Sequence, residues 1–185
     1  MASQPKPLDY AAYLKTPEIK RRYDIVDGEF RFMSPSPDWF HQQDVGEIYA
    51  LLKRHVERRQ LGTVASAPLD LIISKSPMRT RQPDVLYISH GRLRLQDDRL
   101  HSAPDLVVEV LFPGNTPKQV AEKLRDYAAI GVLEAWVADS KRRTIAVLHP
   151  AGGEFRQTAV YGAGGRLRSQ VLPRLRLAVD QVFRR

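Results

Sequence analysis

Hydrophobic and polar positions change period several times along the chain, and each change predicts an element. From Tyr23 the pattern alternates: Tyr23-Asp24-Ile25-Val26, then Asp27-Gly28, then Glu29-Phe30-Arg31-Phe32-Met33. Asp-Gly between two strand-like runs predicts a hairpin, because a tight two-residue turn needs positive φ at both central positions. Before it, Leu8 to Leu14 predicts a short helix ended by Thr16-Pro17. After it, Ser34-Pro35-Ser36-Pro37 breaks the sheet and leads into a helix of about twenty residues. Its apolar stripe is Val45, Ile48, Tyr49, Leu52 and Val56, with Gly62 expected to end it.

The pattern then turns strand-rich from Val64 to Ile73, with a break at Pro68. Lys75 to Gln82 predicts a polar loop, Asp84 to Ile88 a strand, and Gly91 to Pro104 an irregular polar stretch. Leu106-Val107-Val108-Glu109-Val110-Leu111-Phe112 is nearly continuous in apolar residues, which predicts a central strand covered on both faces. Pro113 to Pro117 makes a sharp loop. A second helix runs to about Ile130, with stripe Val120, Leu124, Tyr127 and Ala128 and Gly131 as its stop. Glu134 to Asp139 and Thr144 to Leu148 are strands joined through Lys141-Arg142-Arg143. Two weaker strands follow near Phe155–Tyr161 and Arg166–Ser169, then a short helix near Val179–Phe183. The order predicts an α/β domain: a mixed β-sheet flanked by two long helices.

Length adds that one domain fits the 185 residues, spanning 8–185 behind a flexible N-terminus at 1–7. Cysteine is absent, which excludes disulfide scaffolds, thiolate zinc sites, iron–sulfur clusters and cysteine nucleophiles. This fits a cytoplasmic protein. No apolar run reaches ~18 residues, so no membrane partner is expected, and the first residues carry no signal-peptide pattern. Charge changes the picture more. Twenty-nine Lys and Arg against 21 Asp and Glu leave +8, and a basic domain suggests a polyanionic partner such as nucleic acid. The cations gather at Lys20-Arg21-Arg22, at Lys53-Arg54 with Arg58-Arg59, and along Arg166, Arg168, Arg174, Arg176, Arg184 and Arg185. Apolar residues interrupt them, as on the solvated faces of folded elements.

Three residues stand out chemically. Glu109 sits alone in an apolar strand, and a buried carboxylate needs a metal ion, a lysine or an arginine, or its pKa rises. A structural salt bridge would satisfy it equally. Asp84 stands at the mouth of another strand, and two carboxylates on neighbouring strands can share a hard cation such as Mg2+. On a helical wheel with Val120 at zero, the stripe centres near about 20° and Lys123 falls near about −60°. Lys123 therefore flanks the buried face and can reach Glu109, while Glu122 and Arg125 point toward water.

Pro83-Asp84, the strand Val108-Glu109-Val110 and a lysine near both resemble the PD-(D/E)XK nuclease superfamily. Most members place the lysine two positions after the glutamate, where this chain has Leu111. The chain resembles one family in particular, the Uma-type restriction endonucleases, in which the lysine is moved onto the following helix. The matching stretches are Tyr23–Glu29, Met33-Ser34-Pro35 with His41, Arg81–Val85, Ala103–Leu111, Glu122–Tyr127, Gly131-Val132, Glu134–Asp139, Leu172-Pro173 and Val182-Phe183. The resemblance implies a restriction-endonuclease-like fold with extra N- and C-terminal strands, and DNA phosphodiester hydrolysis with Mg2+ or Mn2+. It implies Asp84 and Glu109 as metal ligands, Lys123 holding the attacking water or scissile phosphate, and Glu29 and His41 near the site. The chain departs from the family at Phe112-Pro113-Gly114, where Ser-Pro-Ser is usual, and at Gln119, where aspartate is common.

Other chemistries fit poorly. Gly162-Ala163-Gly164-Gly165 lacks the Lys-Ser/Thr of a phosphate loop, the five histidines form no HExxH pattern, and no Gly-x-Ser-x-Gly elbow occurs. Two readings remain: a metal-dependent nuclease, and a catalytically silent nucleic-acid-binding or interaction domain on the same fold. A homodimer is expected, because cutting both strands takes two sites, with Leu172–Phe183 and the Tyr23–Met33 hairpin as contact surfaces.

Overall fold

The computed structural model describes residues 7–33 and 38–184. The N-terminus at 1–6 and the Ser34–Pro37 break lie outside the described residues. A short helix α1 (Tyr10–Tyr13), capped by the Asp9 side chain, precedes the hairpin β1 (Tyr23–Val26) and β2 (Glu29–Phe32). Asp27 and Gly28 both have positive φ, as the turn requires. Helix α2 (Trp39–Arg58) starts where Asp38 accepts from the His41 N–H at 2.8 Å. Strands β3 (Gly62–Ser66), β4 (Leu71–Lys75), β5 (Met78–Arg81), β6 (Val85–Ser89), β7 (Leu95–Gln96), β8 (Arg99–Leu100) and β9 (Leu106–Leu111) follow. Helix α3 (Pro117–Ala129) opens with a capping box, Thr116 and Gln119 bonding each other's backbone. Then come β10 (Glu134–Asp139), β11 (Thr144–Ala151), β12 (Glu154–Tyr161), β13 (Arg166–Leu167), β14 (Leu177–Ala178) and a 3-10 turn at Val179–Gln181.

Among the described residues the strands form two six-stranded sheets, ordered β2-β1-β5-β4-β8-β7 and β12-β11-β10-β9-β6-β3, and the ribbon β13-β14. In the second sheet β9 is central, parallel to β10 and antiparallel to β6. Its run of apolar residues is covered on both faces. Leu106, Val108 and Val110 pack with Ile48, Leu52 and Val56 of α2 and with Trp136, while Val107 packs with Tyr127 of α3, Leu86 and Ala135. Glu109 points to the α3 face, since side chains alternate along a strand. Trp136 is wholly buried, whereas Trp39 at the start of α2 is 73% exposed.

Four expectations are corrected. Lys75 to Gln82 is mostly not a loop, because β5 pairs with β4 and β1 and buries Met78 and Thr80. Its polarity misled because Arg79 and Arg81 are held by carboxylates within the fold. Gly91 to Pro104 contains the small hairpin β7-β8, turned by Asp97 and Asp98 at positive φ. Gly62 lies inside β3, and Gln60 is the residue with left-handed φ after α2. In the closing segment, Leu172, Leu175, Leu177, Val182 and Phe183 are buried in the chain's own core, so they offer no apolar contact surface to a second copy.

Candidate functional site

The pairing of β6 with β9 sets Val85 opposite Val108. One residue further along the same register, Asp84 faces Glu109, and directly opposed side chains share one face of a sheet. That face is the one α3 covers. From α3, Lys123 reaches down so that its Nζ donates to Glu109 Oε2 at 2.7 Å. One turn later the Tyr127 hydroxyl donates to Glu109 Oε1 at 2.5 Å. Asp84 Oδ2 accepts from the Val110 N–H at 2.9 Å, and His41 Nε2 stands 3.5 Å from the same oxygen. The structure thus brings Asp84, Glu109, Lys123 and His41 to one cavity of about 200 Å³, together with Arg22 and Phe112. Glu29 is not brought there: it is exposed at the first position of β2, opposite Val26, and does not line the cavity.

The electrostatics differ between the two carboxylates. Burial pushes Asp84 up, but His41, Lys123 and the Val110 N–H outweigh it and hold the group below its ordinary pKa. Burial dominates at Glu109 and raises its pKa despite Lys123, with the Asp84 charge adding to the rise. Burial would lower Lys123, but Glu109, Asp24 and Asp84 raise it, so it stays an ammonium. An acidic pair held by one cation is a low-dielectric charge site, where each group's ionisation depends on the others.

A second layer of charge lies beside it and escaped sequence reasoning. Arg81, 4% exposed, donates from Nη1 to Asp24 Oδ2 at 2.8 Å and from Nε to Asp126 Oδ2 at 2.6 Å. Its Nη2 is ion-paired with Glu122 Oε1 at 3.0 Å without hydrogen-bond alignment. Arg79 bonds Asp126 and Glu122 at 2.8 and 2.9 Å, and Arg31 reaches Glu122 at 3.2 Å. Glu122 therefore turns toward these arginines and the cavity, correcting the expectation that it faces water. The reason is that β1, β2 and β5 close over that side of α3, which a helical wheel cannot register. The one sequence signal was Asp24, a lone acid inside an otherwise strand-like run.

Both departures from the family pattern have local explanations. Gln119 accepts from the Thr116 N–H at 2.9 Å and caps α3. Phe112 packs edge-on against His41, with ring centroids 5.8 Å apart, and its N–H donates to Asn115 Oδ1 at 3.1 Å.

The donor set fits a hard divalent cation. Asp84 and Glu109 offer carboxylate oxygens on one face, and each oxygen keeps a lone pair beyond its present bond. Among the described residues no group of three or more His, Cys, Asp or Glu could cage an ion. Mg2+ takes one or two carboxylates and completes its shell with water and phosphate, so two suffice.

A central mixed sheet thus carries two acids on adjacent strands with a lysine over them. The chain belongs to the Uma2 family, described as putative restriction endonucleases, whose pattern matches residues 10–180. It is similar in structure to a putative nuclease belonging to DUF820 from Anabaena variabilis ATCC 29413, with TM-score 0.80 and 18% sequence identity over 96% of this chain and 98% of that one. That likeness bears out the mixed α/β fold read from the sequence. No curated protein matches the chain. Among the described residues no helix is long and apolar enough to cross a membrane.

Proposed function

We propose that the protein is a divalent-metal-dependent endonuclease that hydrolyses DNA phosphodiester bonds, with Asp84, Glu109 and Lys123 at its centre. The observation that carries this reading is the facing of Asp84 and Glu109 across the central strand pair with Lys123 at 2.7 Å. A Mg2+ or Mn2+ ion held by the two carboxylates would neutralise phosphate charge and make a bound water acidic. The chain's own residues account for the rest. Lys123 supplies a point charge for the water or the phosphate oxygen. His41 holds Asp84 from the α2 side, and Tyr127 fixes the rotation of Glu109. In the reaction a water oxygen bonds to phosphorus, one P–O ester bond breaks, and the leaving oxygen takes a proton. Glu29 has no part in this reading, since it stands outside the cavity.

With Mg2+ or Mn2+, the protein should nick or cut plasmid DNA, and Asp84→Ala and Lys123→Ala should each abolish the activity. Ca2+ should support little turnover, its coordination being looser than the ~2.0–2.1 Å octahedral shell of Mg2+. Binding of DNA should survive Asp84→Ala, because affinity comes mainly from phosphate contacts. Wild-type cleavage by the Asp84→Ala protein would move the chemistry elsewhere. DNA binding with no cleavage in any metal would instead identify the silent binding domain. A homodimer presenting two sites accompanies the reading, and monomers in light scattering at micromolar concentration would restrict it to single-strand nicking.

A further inference from the structure

Beside the first cavity lies a second, of about 250 Å³, and Arg22 lines both. The segment Ile19–Tyr23 forms one wall, and Pro68, Asp70 and Gln82 form the other. Gln82, which lines the second cavity, is only two residues from Asp84, which lines the first, and Arg22 stands between the two. The nuclease reading uses neither Arg22 nor Gln82, yet each has a buried polar atom without a hydrogen-bond partner among the described residues: Arg22 Nε and Gln82 Oε1.

The orientation of Gln82 is fixed. Its Nε2 donates to Asp70 Oδ1 at 2.8 Å, which leaves Oε1 as a bare acceptor on a side chain that is 5% exposed. Arg22 is held only loosely. Its Nη2 is 3.6 Å from Asp84 Oδ1, beyond hydrogen-bond length, and its side chain is 31% exposed. A guanidinium with an idle Nε beside a metal-binding carboxylate can engage a phosphate bidentately. Lys20 and Arg21 add positive charge on the same wall.

We propose that Arg22 and Gln82 form a second nucleotide subsite, adjoining the cleavage cavity at Arg22 and resting on the nuclease reading of that cavity. Arg22 holds the phosphate next to the one that is cut. The adjoining nucleotide enters the second cavity, where a base N–H donates to Gln82 Oε1. One subsite therefore combines a contact that senses charge with a contact that senses base identity, and the two have different salt signatures.

The test is fluorescence anisotropy with a labelled single-stranded DNA of about ten nucleotides, in Ca2+ and across a salt series. Arg22→Met should weaken binding about tenfold or more and reduce the slope of log affinity against log salt by about one. Gln82→Leu should weaken binding about three- to tenfold with the slope unchanged, as for a neutral hydrogen bond. An unchanged slope in Arg22→Met, or wild-type affinity in Gln82→Leu, overturns the subsite. If Gln82→Leu fails to fold for want of its Asp70 bond, the half-exposed Arg22→Met decides alone. Wild-type protein that cuts DNA while both variants bind normally leaves the nuclease reading intact and removes the subsite. Wild-type protein that neither binds nor cuts removes both.

Discussion

Lys123 is the only cation bonded to Glu109 among the described residues, and it also lies in the field of Asp84. Lys123→Ala would leave two buried carboxylates facing each other. Breaking a buried pair typically costs about 3–5 kcal/mol, so metal-free Lys123→Ala should unfold at a clearly lower temperature. Saturating Mn2+ should restore part of that loss. The pH dependence carries the sign. Glu109 has a folded pKa above its unfolded one, so its unfavourable contribution is absent below the unfolded value and grows as pH rises through the folded value. Asp84 is the reverse: its contribution is present above its unfolded pKa and is lost as pH falls through the depressed folded value. Acidifying wild-type protein from neutrality should first relieve Glu109 and only later destabilise through Asp84. Glu109→Gln should erase the first limb and keep the second, as followed by urea melts at several pH values. Lys123 was legible because an amphipathic stripe fixes where a flanking side chain goes. Arg81 and Asp24 were not, because a buried ion pair reads in sequence as surface polarity.

At the scale of elements, close approach of backbones sets what the sheet can tolerate. A Cβ at Gly62 would stand 2.1 Å from the Ile88 carbonyl oxygen and 2.7 Å from the Ser89 Cα, both backbone atoms of the paired strand. Gly62→Ala should therefore destabilise by about 2–3 kcal/mol, as overpacking does, measurable as a lower urea midpoint with the slope preserved. An unchanged midpoint would mean that β3 can slide away from β6 freely. The same scale explains which elements the sequence revealed. The β1-β2 turn, α2, β9, α3 and β10 follow from local pattern and capping. Strand β5 did not, because it alternates Met78 and Thr80 with arginines whose partners come from α3 and β1, far away in sequence. Two short strands at Leu95 and Arg99 carry too few residues for any period to show.

For the whole molecule, the proposed function makes the charge of +8 the term that would govern encounter with DNA. Nonspecific affinity should fall steeply and linearly in log–log form with salt, and the slope should exceed the single unit assigned to Arg22. A flat salt response would separate this chain from DNA-binding proteins altogether. The fold class was legible because α/β order and a doubly covered strand constrain the layers. The division into two sheets was not, since it depends on β4 and β5 joining β1 across more than forty residues.

The placement of the two tryptophans has an optical consequence. Trp136 is sealed in the core with its indole N–H bonded to Glu134 at 2.7 Å, while the Trp39 ring stands in water at the first turn of α2. A buried indole and a wet one emit at different wavelengths. Native emission should therefore resolve into a red component that acrylamide extinguishes and a blue one that it spares. Trp39→Phe should leave the blue band alone, making Trp136 a single-site lamp for the collapse or melting of the central sheet.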